Sequence, residues 1–438
     1  MQAILLAAGK STRLDPLSDK NLLEFCGKTL VEHQVSLIKN AKIRDIVVVG
    51  NAENMETLKR IFKKYHNVAV TEQKALEEGM AGGVLAGAKR VSQKEILVMS
   101  TNDIVDAEAL ELMKNALKEK GIDGAILAKK VDQYFPGGYL KLDKKGVVET
   151  IVEKPGEGRE PSPLVNLVLH IFRDFPSFVT VLRQQKGKAD GRYEAALSRF
   201  VKKDKRALKA VEYRGHWLPI KYPWHVLAAM NYFLSRQKPF IDKTAQISKS
   251  AVIKGGSVYI GRNVRVLEHA TIQGPAYIGD NALVANNALI RSSMIGHHSV
   301  VGFSTEIARS YLNHNVWTHS NYIGDSVVDF NVSFGAGGVV GNLRLDEEII
   351  GVKIRDKKIS TGSNKFGVVI GSGSRLGINI STMPGIKIGR GCFVGSGIIV
   401  AEDLPDRSFV RVEQKLKRAP NTKIAFVDKR NKMRDLLK

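Results

Sequence analysis

An α/β Rossmann-like domain followed by a parallel β-helix of hexapeptide repeats is the fold class that this 438-residue sequence predicts. Three observations predict it. Early in the chain, short apolar runs at 3–8, 46–49, 68–70, 96–99 and 125–128 alternate with charged amphipathic segments such as 53–65 and 107–119. That alternation marks buried strands covered by helices on both faces, with ligands received beyond the carboxyl ends of the strands. Later, Ile260, Val266, Ile272, Ile278, Val284 and Ile290 recur every six residues, and after a one-residue slip Ile295, Val301 and Ile307 resume the series. Near the end Ile370, Leu376, Thr382, Ile388, Val394 and Val400 keep the same period, and Gly371, Gly377, Gly389 and Gly395 follow four of them. A period of six suits neither a helix nor an ordinary strand. It suits a chain that turns a corner every six residues and points one aliphatic side chain inward.

The elements then divide the chain into 1–235, 241–410 and a basic tail at 411–438. Between the two halves, PWHVLAAMNYFL predicts an amphipathic helix started by Pro223 and packed on the first domain. The stretch 309–365 breaks the six-residue phase, as inserted loops do. No apolar run approaches the ~20 residues that cross a bilayer, and MQAILLAA lacks the basic start of a secretory signal, so a cytoplasmic protein without a membrane partner is expected. Cys26 and Cys392 stand far apart and read as reduced, buried small hydrophobes. The net charge of +23 favours anionic partners. It is spread along the chain without aromatic interleaving, which points to phosphorylated small molecules rather than nucleic acid.

Two loops carry the first set of candidate residues. In LLAAGKSTRL the small residues Gly9, Ser11 and Thr12 let backbone N–H groups approach a polyphosphate, and Arg13 and Lys20 supply cations to a leaving pyrophosphate. The same residues also suit a tight βα turn with solvated charges. Asp103, in MSTND, follows the fourth strand, where one carboxylate can hold Mg²⁺ together with phosphate oxygens, or can cap a helix. Glu153 and Lys154 follow another apolar strand and present an acceptor and a cation to a sugar phosphate, or form a surface turn.

The order LLAAGKSTRL, Lys20, EGMAGG at 78–83, TND, Gly138-Tyr139, VEKP and Asn166 resembles the sugar-1-phosphate nucleotidyltransferases over about residues 1–235. With the β-helix behind it, the whole chain resembles the bifunctional sugar-1-phosphate nucleotidyltransferase/glucosamine-1-phosphate acetyltransferase family, in its archaeal-type branch. The resemblance implies a left-handed β-helix and a homotrimer. It implies acetyl transfer from acetyl-CoA to glucosamine-1-phosphate and uridylyl transfer from UTP, making UDP-N-acetylglucosamine. By it, Arg13 and Lys20 hold phosphates, Gln73 and Gly79 sit near the base, Asp103 holds Mg²⁺, and Gly138, Glu153 and Asn166 line the sugar pocket. One departure stands out: the family's W-x-D-[IV]-G, whose carboxylate is the second Mg²⁺ ligand, reads WLPIK here, with Pro219 at the Asp position and Lys221 at the Gly position. A further alternative is therefore a transferase for another sugar or nucleotide, or a nucleotide-binding relative with impaired transfer.

The second set lies in the phase break. His319, in THSNYIGD, suits removal of a proton from an attacking amine, and equally suits an ordinary polar corner. The resemblance makes it the catalytic base, puts Tyr322 near the sugar phosphate, and adds Asn342 of GNLRLD and Lys365 of KFG. It also leads to a basic residue just ahead of the histidine, where Ala308 stands with Arg309 beside it, and to Ser333 where bacterial relatives have Asn. The tail segments KLKR and DKRNKMRDLLK suit CoA phosphates or a solvated terminal helix.

Overall fold

The computed structural model describes residues 1–187, 191–422 and 427–437. The first half is a nine-stranded sheet in which Val68–Glu72, Ile46–Gly50, Gln2–Leu6 and Ile96–Ser100 run parallel in that order. Leu164–Phe172 then joins antiparallel to Ile96–Ser100 and carries Gly124–Lys130 and the Gly138–Leu142/Val148–Glu153 hairpin. Alternate residues of one strand serve opposite cores. Ala3 and Leu5 face a layer containing Val31, Val35 and Leu110, whereas Ile4 faces Val84, Phe178 and Phe200. The predicted two-sided helical cover is present, including Met55–Phe62 and Ala107–Ala116 within the expected amphipathic segments.

The second half is a three-faced prism of short parallel strands, consistent with a hexapeptide left-handed β-helix. Its interior is the predicted aliphatic column, with Ile260, Ile278, Ile295, Leu312, Val328, Ile370 and Ile388 stacked on one face. Asn263, Asn281, Asn287, Asn315 and Asn331 take left-handed corner conformations, which asparagine tolerates better than most residues.

The phase break has two physical causes. Several coils are a residue or two shorter, and at one corner the buried hydroxyls of Ser293, Ser310 and Ser326 stack in the shortened turn. The Ser310 N–H donates to Ser293 Oγ, the Ser326 N–H to Ser310 Oγ and the Val368 N–H to Ser326 Oγ, all at 3.0–3.1 Å. Farther on, an excursion between Val340 and Val368 carries the antiparallel hairpin Gly351–Ile354/Lys357–Ser360. The connector helix, Trp224–Arg236, departs from its predicted single docking face. Val226, Ala229 and Met230 share one buried cluster with Leu14 and Phe25 of the first domain and with Tyr311, Val327 and Val352 of the prism, so the helix is wedged between both. Cys26 is half-buried, Cys392 is buried, and both are free thiols. Residues 411–422 are exposed and irregular and Val427–Asp435 is a terminal helix, while residues 423–426 and 438 of the basic tail lie outside the described residues.

The serine ladder is a stability element. Ser310→Ala leaves the buried Ser326 N–H without its acceptor, which costs about 1–3 kcal/mol. Chemical denaturation followed by circular dichroism is expected to show that loss, and an unchanged midpoint would contradict it.

Candidate active sites

The first site grows out of the strand ends. A cavity of about 880 Å³ is lined by Gly9, Arg13 and Lys20 on one side and by Asp103, Pro219 and Lys221 on its floor. Ser11 and Thr12 do not line it. Ser11 Oγ instead accepts from the Lys20 N–H at 3.1 Å and donates to Asp19 Oδ1 at 3.2 Å, which fixes the short turn presenting Lys20. Thr12 Oγ1 accepts from Arg355 of the inserted hairpin at 3.1 Å.

Asp103 opens the strand Asp103–Val105, which pairs antiparallel with Trp217–Pro219, so Pro219 lies directly across from Asp103. Asp103 caps no helix; Asp106 is the residue before helix Ala107–Ala116, and its carboxylate makes no cap hydrogen bond there. The Trp217 indole N–H donates to Asp103 Oδ1 at 2.8 Å. Burial pushes the Asp103 carboxyl above its ordinary range, opposed by that hydrogen bond and by the charges of Lys221 and Lys20. Lys221 Nζ donates to Pro136 O at 3.0 Å and rests 3.4 Å from the centroid of the Phe135 ring. Burial lowers Lys221 to about 7 and Lys20 to about 8, with the Asp103 charge working against both shifts. Across this strand pair Asp103 is therefore the one carboxylate offered to Mg²⁺, with Pro219 opposite it, while Glu153 lines the same cavity. Among the described residues Asp103 belongs to no cluster of three potential ligands. Because Mg²⁺ retains waters and uses one or two carboxylates plus substrate phosphates, Asp103 fits a site with one carboxylate at this strand pair, and Pro219 cannot supply a second.

Gln73, Gly79, Gly138, Glu153, Lys154 and Asn166 also line the cavity. Gln73 Nε2 donates to Gly79 O at 2.7 Å, and Gly79 itself has φ +58° where helix Gly79–Ala88 begins, a conformation that favours glycine. A Cβ on Gly138 would lie 3.1 Å from Glu153 Oε2 and 3.7 Å from Asn166 Cβ, so the missing side chain keeps that part of the wall open. Sequence reasoning missed the residue behind it. His170 Nε2 lies 2.8 Å from Asn166 Oδ1, and its Nδ1 lies 2.8 Å from the Tyr193 hydroxyl. Burial holds His170 far down, at about 3, so its neutral ring turns the Asn166 carbonyl inward.

The second site is on the prism. Tyr322 and Asn342 meet, with Asn342 Nδ2 donating to Tyr322 Oη at 3.2 Å and to Asp325 Oδ2 at 2.5 Å. Arg309 pairs with Asp325 through two bonds of 2.7 Å, so a cation does stand in this cluster despite Ala308. The Phe366 N–H donates to Asn342 O at 3.0 Å, which brings the backbone beside Lys365 to the same place, although the Lys365 side chain is exposed. His319 lies at an exposed corner of the same coil as Tyr322, with its N–H on Asn321 Oδ1 at 2.6 Å. Asn321 and the Arg309–Asp325 pair were missed as site residues, because their stacking depends on shortened coils that a strict six-residue count misplaces.

Residues 2–218 match the nucleotidyl transferase family, and residues 257–292 match the bacterial transferase hexapeptide family of six repeats. A "Bifunctional protein GlmU" of Methanococcus maripaludis is 33% identical over 95% of this chain and 98% of its own length. The chain belongs to this family of bifunctional nucleotidyltransferase/hexapeptide acetyltransferase proteins. Within the family, a "Bifunctional protein GlmU" of Methanococcus vannielii is 29% identical over 95% of this chain and 99% of its own. A "Bifunctional sugar-1-phosphate nucleotidylyltransferase/acetyltransferase" of Sulfurisphaera tokodaii is 29% identical over 94% of this chain and all of its own. Among the described residues no helix is long and apolar enough to cross a membrane.

The depressed lysines make a prediction about protons. Each carries its charge below its lowered pKa and loses it above, so at pH 8 Lys221 is mostly neutral and Lys20 is partly so. A triphosphate bound beside them is expected to restore both charges. Calorimetry without Mg²⁺, in buffers of different ionisation enthalpy, is expected to record proton uptake on UTP binding at pH 8 and very little at pH 6. Equal uptake at both pH values would contradict the assignment.

Proposed function

We propose that this chain makes UDP-N-acetylglucosamine, first acetylating glucosamine-1-phosphate from acetyl-CoA and then transferring uridylyl from UTP to the sugar phosphate. The observation that carries the first half of this sequence of reactions is the cluster Arg309–Asp325–Asn342–Tyr322, which spans three successive coils, the middle one bearing His319. Arg309 and Tyr322 receive the sugar phosphate, and His319 takes the proton from the amine as it attacks the thioester carbonyl. In the N-terminal cavity the sugar phosphate oxygen attacks the α-phosphorus in line, and positioning with charge neutralisation carries the rate. Arg13 and Lys20 hold the triphosphate and the departing pyrophosphate, Gln73 and Gly79 border the base, and Gly138, Glu153 and Asn166 border the sugar. Mg²⁺ at Asp103 supplies further neutralisation of the phosphates. Lys221 cannot coordinate a metal, but its ammonium adds positive charge to the floor that the residue at Pro219 does not serve. The reading includes a cytoplasmic homotrimer, consistent with the exposed Trp317, Phe393 and Phe409 along one prism face.

A second reading is favoured by Pro219 alone: the N-terminal cavity binds nucleotide without transferring it. Incubation with glucosamine-1-phosphate, acetyl-CoA, UTP and Mg²⁺, followed by mass detection, separates the two. The first reading expects nucleotide sugar, and His319→Ala is expected to lower acetylation by roughly 10²–10⁴-fold while leaving uridylyl transfer to N-acetylglucosamine-1-phosphate unchanged. Acetylated sugar phosphate without nucleotide sugar would support the second reading instead.

A further inference from the structure

Between Ile260 and Ile388, a glycine follows the inward aliphatic side chain in five coils of one prism face, at Gly261, Gly279, Gly296, Gly371 and Gly389. The reason is steric. A Cβ on any of these five would come within 2.5–2.9 Å of a backbone nitrogen in the next coil. In the two coils between Gly296 and Gly371, the same corner holds Asn313 and Asp329, and both are buried. Asn313 Nδ2 donates to Asp329 Oδ1 at 3.0 Å.

Asp329 is where the prism grips the first domain. The Ser18 N–H donates to its Oδ2 at 2.8 Å and the Ser18 hydroxyl to its Oδ1 at 3.2 Å. The Phe330 N–H adds a fourth donor at 2.9 Å, so this buried carboxylate is fully surrounded. Two donors of one residue on two oxygens fix Ser18 in direction as well as in distance. The residue after it, Asp19, accepts from Ser11 Oγ at 3.2 Å, from the Asn21 N–H at 3.0 Å and from Asn54 Nδ2 at 2.7 Å. Ser11 Oγ in turn accepts from the Lys20 N–H at 3.1 Å. The prism carboxylate therefore fixes the backbone beside the staple that sets Lys20, whose side chain lines the nucleotide cavity, although Asp329 itself does not line it.

We propose that Asp329, a residue of the prism, is a positioning residue for the N-terminal reaction. By holding Ser18 it sets where Lys20 and Arg13 meet the triphosphate, so the prism completes the nucleotide site. The kinetic part of this inference rests on the uridylyl-transfer reading, and the binding part does not.

Full-length wild type, Asp329→Gly and Asp329→Asn are compared. Glycine is the residue that five coils already carry at this corner, so the first variant suits the prism, and asparagine keeps the volume while removing the charge. Binding of inorganic tripolyphosphate is followed by calorimetry and assigned to the cavity by its loss in Lys20→Met. It is expected to weaken about tenfold in both Asp329 variants. Coulomb's law alone predicts the opposite sign, because each variant removes a negative charge near a polyanion. In steady-state kinetics the KM for UTP rises and kcat/KM falls about 10- to 100-fold, with the KM for N-acetylglucosamine-1-phosphate unchanged. A smaller folded fraction would instead lower the apparent kcat and leave both KM values alone. Acetyl transfer, which uses Tyr322 and Asp325 shortly before Asp329 in the chain, is kept and serves as the internal control. Absence of tripolyphosphate binding in the wild type, equal affinity in wild type and variants, or an equal loss of acetyl transfer would overturn the proposal. A wild type that binds tripolyphosphate but makes no nucleotide sugar would overturn the uridylyl-transfer reading, and the binding comparison then decides on Asp329 alone.

Discussion

The antiparallel pairing of Trp217–Pro219 with Asp103–Val105 is the contact on which the N-terminal chemistry depends. It lays the Trp217 indole on the Asp103 carboxylate and carries the chain round to Lys221, whose ammonium sits on the Phe135 ring at the cavity floor. A carboxylate withdrawn from water is costly unless donors and opposite charge surround it, and here the indole N–H and two lysines do so. The same burial that raises Asp103 lowers Lys20 and Lys221, leaving all three groups easy to shift when a polyanion enters. Pro219 supplies no ligand to this floor, so the charge balance there rests on Asp103, on Glu153, whose charge also acts on Lys221, and on the neighbouring cations.

A second constraint ties the two halves together. The loop between Gly9 and Lys20 is held from outside its own domain: Ser18 by the buried Asp329, Leu17 O and Asp15 by Arg390, and Thr12 by Arg355. The exposed Arg390–Asp15 pair contributes little to stability. Asp329 matters more, because it is buried and accepts from Ser18 and Asn313, so removing it leaves donors without partners. The wedged connector helix closes the same seam, and the loop that presents Arg13 therefore depends on the prism for its shape.

Most of the fold was legible because its signals are periodic. Buried strands between amphipathic helices and an aliphatic residue at every sixth position are consequences of local geometry, and they sufficed for both domains. The phase break was legible as a break but not in its cause, since a serine hydroxyl that replaces part of a turn is recognisable only once coils are stacked. At the first site, Arg13, Lys20, Asp103, Gly138, Glu153 and Asn166 line one cavity. His170 and Trp217, which set the orientation and charge of two of them, carry no motif of their own.

The central claim is that positive charge from Lys221 serves the floor of the nucleotide cavity where Pro219 supplies no carboxylate. The most direct measurement is the rate of pyrophosphate release from UTP and N-acetylglucosamine-1-phosphate at saturating Mg²⁺, in wild type and in Lys221→Met, which keeps the apolar stem. The account predicts turnover in the wild type and a loss of about 10²-fold in the variant together with weaker UTP binding, because the triphosphate that recharges Lys221 is held in turn by that charge. Equal turnover in the two proteins would contradict it.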